Sequence, residues 1–166
     1  MSDQNNANTT RTIEDVIREK LTGETQQNAL DLIAFIRKNG MHFERDEYAG
    51  DIGWFVGGGL GSRLGFMIVH GSENPAWPWA LCFQDCDFCD NADTDVKETA
   101  WAHTVKCGRC HEGWEKCGHG DRMIFGRKFD NLCLSQLIFY KPDGQTLKNM
   151  KKLLLLMKRR EVPGEK

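Results

Sequence analysis

The cysteines are the feature that most constrains this chain. It holds seven, and six of them fall between positions 82 and 117. The N-terminus is polar without an apolar signal segment, and the longest aliphatic run, Leu153–Met157, is far too short to span a membrane. We therefore expect a cytoplasmic protein that makes no use of a membrane. In that reducing compartment, clustered cysteines favour metal binding over disulfides, and an odd number leaves a disulfide framework incomplete.

Length and composition fit one folded domain. The chain has 166 residues, of which 40% are hydrophobic and 28% charged, and its net charge of −2 provides no field that would attract nucleic acid or membrane to the whole molecule. Residues 1–11 are rich in Asn and Thr and predict a disordered tail, and 161–166 predict a flexible one. We expect a single α+β domain over 12–160, with a cysteine-rich metal-binding segment at about 105–133.

The spacing of apolar residues predicts helices before and after a region of short strands. Residues spaced by three and four predict helices from Thr12 to a break at Gly23, from about Glu24 to Asn39, over 95–106 and over 145–160. Short apolar runs between glycine- and proline-containing turns predict antiparallel strands over 41–48, 52–56, 64–70, 77–83, 123–125 and 134–140. The expected fold is α+β, an antiparallel sheet with N- and C-terminal helices and a cysteine-rich zinc knuckle.

Two Cys-x2-Cys pairs have the spacing of a zinc ribbon. Cys86 and Cys89 form the first pair and Cys107 and Cys110 the second, with 17 residues between them. Paired thiolates suit zinc, which binds sulfur at about 2.3 Å in a tetrahedral arrangement. A helix over 95–106 would, however, be a rod of about 18 Å, which would hold the two pairs apart.

A more local set of ligands avoids that separation. Cys107, Cys110 and Cys117 lie in one loop, and Cys133 follows after a short hairpin. These four residues are our predicted metal ligands, with zinc as the cofactor, and His111 or His119 are possible substitutes for one member. His103 lies four residues before Cys107 and is expected either to face the metal or to orient a ligand.

The C-terminal half carries a family resemblance. The stretches WAHTVKCGRC, CGHG, MIFGRKFDNLC and FYKPDGQTLKNMKKL together resemble the C-terminal half of a group of small cysteine-rich bacterial proteins. The resemblance covers roughly residues 95–157. It implies the same four cysteines as the metal set, although the spacer 111–116 is longer than in that group, and it brings no activity with it.

Other patterns leave alternatives open. Cys82-x3-Cys86-x2-Cys89 has the spacing of the loop that holds an iron–sulfur cluster in radical-SAM enzymes. Radical-SAM enzymes, however, have larger β/α-barrel folds. A strand over 77–83 would also contain Cys82, which would then not belong to a cluster loop. An open metal site using His103, His111 or His119 would make the protein a metalloenzyme, whereas four thiolates would leave zinc no open position.

Three tryptophans and a basic helix are the remaining candidates for binding. Trp54, Trp77 and Trp79 either line a small-molecule pocket or belong to the core. Seven basic residues between 141 and 160 allow contact with nucleic acid, but they also suit the solvated side of an amphipathic helix. The sequence thus predicts a zinc-binding protein with a structural four-cysteine site that serves as a module for an unknown small molecule or protein partner.

Overall fold

The computed structural model describes residues 11–47, 52–58, 63–71, 73–83, 92–106 and 120–160. Within these ranges the elements are α1 (Ile13–Lys20), α2 (Gly23–Lys38), β1 (His42–Arg45), β2 (Gly53–Gly57), β3 (Arg63–Val69), β4 (Trp79–Phe83), α3 (Thr94–Ala102), β5 (Thr104–Lys106), β6 (Gly120–Ile124), β7 (Arg127–Tyr140) and α4 (Gly144–Arg160). The described strands form one seven-stranded antiparallel sheet in the order β1-β2-β3-β4-β7-β5, and β6 also pairs with β7. The predicted α+β class with helices at both ends is confirmed. Apart from Arg11, both predicted tails lie outside the described residues.

The N-terminal helices begin and end at residues that the sequence marks. At the start of α1 the Thr12 hydroxyl accepts a hydrogen bond from the Asp15 backbone N–H at 3.2 Å, and the Asp15 carboxylate accepts one from the Thr12 N–H at 3.0 Å. This capping box satisfies two donors that a helix start would otherwise leave unpaired. Helix α2 ends at Asn39, and Gly40 follows in the left-handed region with φ of +69°.

The helices cover one face of the sheet. Trp54, Met67, Leu81 and Phe139 are register partners across β2, β3, β4 and β7, and each is at most 4% exposed. They belong to one hydrophobic cluster with buried residues of all four helices. On the opposite face the neighbouring register positions are Phe55, Phe66, Cys82 and Ile138, of which only Cys82 is buried. Side chains therefore alternate between a helix-covered face and a second, half-buried apolar face.

The predicted third helix is too long. Helix α3 ends at Ala102, and Thr104–Lys106 form strand β5, which pairs with β7. The Thr104 hydroxyl donates to the Trp101 carbonyl at 3.0 Å and so satisfies one acceptor that the helix end leaves open. Thr104 and Val105 are β-branched and fit a pleated strand better than a helix. At its other end α3 begins after the N-cap residue Asp93, whose side chain makes no capping hydrogen bond.

The β6–β7 hairpin is longer than the sequence predicted. Its two-residue turn, Phe125-Gly126, has φ values of +48° and +75°, and Ile124 and Arg127 pair directly across it. Positive φ at both central residues is the geometry of the tightest hairpin turns. From this turn β7 continues to Tyr140 beside β4. Cys133 consequently lies near the middle of the longest described strand, between the part of β7 that pairs with β6 and the part that pairs with β4.

Candidate metal centre

The structure describes one of the four predicted ligands. Cys133 lies on β7, half-buried and free of any disulfide. Cys107, Cys110 and Cys117 lie outside the described residues, as do the possible substitutes His111 and His119 and the first pair Cys86 and Cys89. Among the described residues no group of three or more His, Cys, Asp or Glu side chains is arranged to hold a metal ion. The positions of Cys133 and of the residues that flank the other cysteines therefore indicate whether the predicted ligands can converge on one ion.

The segment that carries Cys107, Cys110 and Cys117 begins and ends beside Cys133. Its preceding residue Lys106 pairs with Leu132, and so does its following residue Gly120. Because β4 and β5 lie on opposite edges of β7, and two strands cannot pair with one residue on the same edge, β6 shares the edge of β4. Lys106 and Gly120 thus flank Leu132 from its two sides, about 10 Å apart across two strand spacings. Cys133 is the next residue of β7.

Strand β4 runs alongside β7 in the direction of Cys133. Phe83, its last residue, pairs with Leu137, and because the two strands are antiparallel, β4 runs from Tyr140 toward the middle of β7, where Cys133 lies. Cys86 follows three residues after Phe83. The helix predicted over 95–106 ends at Ala102, so the two Cys-x2-Cys pairs are not joined by one continuous rod of about 18 Å. Reach along the chain therefore permits either pair to approach Cys133.

Cys82 is a different kind of cysteine from Cys133. It lies within β4, as predicted, and is 6% exposed. Burial raises the pKa of the Cys82 thiol to about 12, and the neighbouring charge of Cys133 contributes to this shift. Burial also raises the pKa of Tyr140, with smaller contributions from Cys82 and Cys133. Cys82 therefore lies inside a fully buried strand and not in a loop, so a cluster loop that needs its sulfur is disfavoured.

His103 is oriented by the end of α3. Its Nδ1 lies 2.8 Å from the Thr99 carbonyl oxygen, and its ring stacks on Phe139 with 4.5 Å between the ring centroids. A carbonyl oxygen can only accept, so Nδ1 carries the proton and the neutral ring keeps its lone pair on Nε2. A histidine held in this way has the tautomer of a metal ligand. Whether Nε2 meets a metal stays a prediction.

The tryptophans do not form a shared pocket. Trp54 and Trp79 belong to the hydrophobic core, at 4% and 0% exposed. Trp77 instead packs between His70 and Tyr140, with ring centroids 4.3 and 5.8 Å away. Burial lowers the pKa of His70, and the charge of Lys20 lowers it further. The interpretation of Trp54 and Trp79 as core residues is the one that the structure favours.

Three basic side chains of α4 contact neighbouring helices. Lys151 binds Asp31 on α2 at 2.5 Å, Lys152 binds Asp93 beside α3 at 2.7 Å, and Lys158 donates to the carbonyl of Asn39. These contacts fasten α4 to α2 and α3. A lysine that pairs with an acid on its own surface contributes little to binding a phosphate backbone. The arrangement favours a structural role for this basic helix.

One further group of residues lines a cavity that no sequence pattern predicts. A cavity of about 210 Å³ at the junction of α1, α2 and β1 is lined by Arg11, Arg37 and Arg45 together with Phe43 and Trp54. These residues come from separate elements, so no local spacing brings them to attention.

The comparisons with known proteins add no family to this geometry. No protein-family model matches the chain, and neither a curated protein nor a solved structure shows significant similarity to it. Among the described residues no helix combines the length and the apolar character needed to cross a bilayer.

Proposed function

We propose that this chain is a cytoplasmic zinc protein whose metal is structural. Thiolates of Cys107, Cys110, Cys117 and Cys133 would hold one zinc ion and fasten β5, β6 and β7 together. Four thiolates close the tetrahedral shell of zinc, so the ion would stabilise the fold without activating water. The protein would then act as a module that binds a small molecule or a protein partner.

The observation that carries this proposal is the pairing of Lys106 and Gly120 with the same residue, Leu132. It brings both ends of a segment with three cysteines to within a few residues of Cys133. Zinc thiolates in one tetrahedral shell lie about 4 Å apart, a separation that a loop anchored in this way can supply without moving the sheet. The loop sequence is rich in Gly, Lys, Arg and His, which offers little apolar surface to bury free cysteines.

Metal analysis of single cysteine variants tests the proposal. Protein purified anaerobically without added metal should be colourless and contain about one equivalent of zinc. Cys133→Ser and Cys107→Ser should each lower the zinc content well below one equivalent and reduce the melting temperature by several degrees. Cys82→Ser is the matched control, because Cys82 is buried within β4 and outside the proposed ligand set, and its zinc content should equal that of the wild type.

The outcomes separate the competing ligand sets. Loss of zinc from Cys86→Ser, with full retention in Cys117→Ser, would assign the first Cys-x2-Cys pair to the site in place of Cys117. A brown protein with broad visible absorbance would show that the cysteines hold an iron–sulfur cluster and not zinc. Freshly prepared, fully reduced protein that contains no stoichiometric transition metal would refute the proposal.

A further inference from the structure

The arginine cavity lies away from the cysteines, at the edge of the sheet. Its charged lining consists of the three residues Arg11, Arg37 and Arg45, and its flat apolar lining of Phe43 and Trp54. Arg11 precedes α1, Arg37 lies in the last turn of α2, and Arg45 ends the edge strand β1. Three guanidinium groups therefore lie around one small cavity, in the partly apolar surroundings of a protein surface where charge interactions are stronger than in bulk water.

Arg37 is held in a fixed position beside the cavity. Its Nε and Nη2 donate to the two carboxylate oxygens of Glu14 at 2.7 and 3.1 Å. Its guanidinium carbon lies 5.5 Å from the centroid of the Phe43 ring. A guanidinium has five N–H donors, so this ion pair leaves three of them for another acceptor. Arg11 pairs with Glu19 through one nitrogen–oxygen contact, and neither glutamate belongs to the cavity lining.

Arg45 and Trp54 share one side of the sheet. They are direct register partners across β1 and β2, which places both side chains on the helix-covered face. Trp54 is 4% exposed and forms an inner wall, whereas Arg45 is exposed at the rim. The cavity therefore combines an apolar aromatic interior with a cationic opening.

We propose that this cavity binds a small oxyanion carried on a flat ring, such as an aromatic carboxylate or an aryl phosphate. Guanidinium groups pair with carboxylate and phosphate oxygens through parallel N–H bonds, and rings pack on Phe and Trp. The cavity of about 210 Å³ is several times the roughly 30 Å³ that one water occupies. It is smaller than the roughly 300 Å³ at which drug-sized pockets begin, which suits one ring with one anionic group. This inference is independent of the zinc site.

Calorimetric titration of the full-length protein with phenyl phosphate and benzoate tests the proposal. At least one of the two should bind with 1:1 stoichiometry, and which one binds identifies the preferred oxyanion. Inorganic phosphate, which lacks the ring, and benzyl alcohol, which lacks the charge, should bind at least about tenfold more weakly. Binding should also quench tryptophan fluorescence in the wild type and less so in Trp54→Phe.

Charge-removing variants locate the site. Arg45→Gln and Arg11→Gln should each weaken binding about tenfold or more, as expected for the loss of a charge-assisted hydrogen bond. Lys148→Gln removes the same charge from an exposed position on α4 and should bind like the wild type. Absence of binding by both ring compounds, equal affinity for inorganic phosphate, or equal weakening by Lys148→Gln would each overturn the proposal. Unchanged melting temperatures of the variants show that folding is not the cause.

Discussion

The side-chain amide of Asn149 donates a hydrogen bond of 2.7 Å to the hydroxyl of Thr99. The same amide donates to the Asp95 carbonyl at 3.2 Å, and its oxygen accepts from Gln145 at 3.3 Å. Asn149 is only 2% exposed, so these contacts satisfy a polar group that would otherwise be costly to bury. They connect α4 to α3, the helix that leads directly into β5.

Replacing Asn149 by leucine should therefore destabilise the protein. The change keeps the approximate volume but leaves the Asp95 carbonyl and the Thr99 hydroxyl with fewer partners, at an expected cost of about 1–3 kcal/mol in the free energy of unfolding. Urea denaturation measures this difference. Lys148→Leu, at the exposed position just before Asn149, is the control and should stay within about 0.5 kcal/mol of the wild type. Equal stability of Asn149→Leu and wild type would show that this contact is dispensable.

Gly65 is required by close approach between two strands. A Cβ atom built at Gly65 would lie 2.9 Å from the backbone oxygen of Cys82 on β4. Since a backbone carbonyl in a paired strand cannot easily move aside, Gly65→Ala should lower the free energy of unfolding by about 1–3 kcal/mol.

Gly144→Ala provides the contrast for Gly65→Ala. It places the same methyl group at the first residue of α4, where nothing lies within 4 Å. Because alanine favours helix over glycine, this variant should be as stable as the wild type or more stable. Thermal denaturation of both variants measures this contrast. A Gly65→Ala protein as stable as the wild type would contradict the close packing of β3 against β4.

The ion pair between Glu14 and Arg37 predicts a pH dependence of stability. Burial alone would raise the pKa of Glu14, but the hydrogen bond from Arg37 and the guanidinium charge outweigh it, so that the pKa is lowered. A carboxylate with a lowered pKa contributes stability above the pKa of the unfolded chain. It loses that contribution as the pH falls through the pKa of the folded protein.

Glu14→Gln should consequently destabilise the protein at pH 7 and much less at pH 3. Because the Arg37 side chain is 49% exposed, we expect no more than about 1 kcal/mol at pH 7. Chemical denaturation at the two pH values measures the difference. Glu73→Gln, at an exposed position, controls for the loss of one negative charge. A Glu14→Gln effect that is equal at both pH values would argue against the ion pair as its cause.

Long, well-capped elements were predictable from the sequence. Helices α1, α2 and α4 have apolar residues at helical spacing, and in α4 those residues are all buried: Leu147, Met150, Leu153, Leu154 and Met157. Four central strands were also predicted within a few residues, since glycines and prolines mark their ends. In these segments local preference and tertiary packing favour the same structure.

The failure at Thr104–Lys106 has a tertiary cause. The apolar spacing of Val96, Ala100 and Val105 is compatible with one continuous helix, so periodicity gave no reason to end it at Ala102. What ends the helix is the edge of β7, whose backbone groups pair with Thr104 and Lys106. A pairing between residues about thirty positions apart cannot be read from a window of sequence.

The cysteine site and the arginine cavity also differ in how far the local sequence predicts them. Cys-x2-Cys spacing is a local signal, and the predicted metal ligands rest on it. The convergence of Lys106 and Gly120 on Leu132 depends on strand register, which the sequence specified only weakly. The arginine cavity depends entirely on packing among α1, α2 and β1, and for that reason only the fold could reveal it.

Alkylation should distinguish the two described cysteines and connect them to the metal. With a pKa of about 12, only about one Cys82 thiol in ten thousand would be ionised at pH 8, and the side chain is also buried. Iodoacetamide should therefore modify half-buried Cys133 in native, metal-free protein while Cys82 stays unmodified, as measured by peptide mass spectrometry. Zinc should protect Cys133, because a sulfur bound to the ion is a poor nucleophile. In urea all seven cysteines should react, which controls for detection. Modification of Cys133 at the same rate with and without bound zinc would remove it from the ligand set, and rapid modification of Cys82 would contradict its burial in β4.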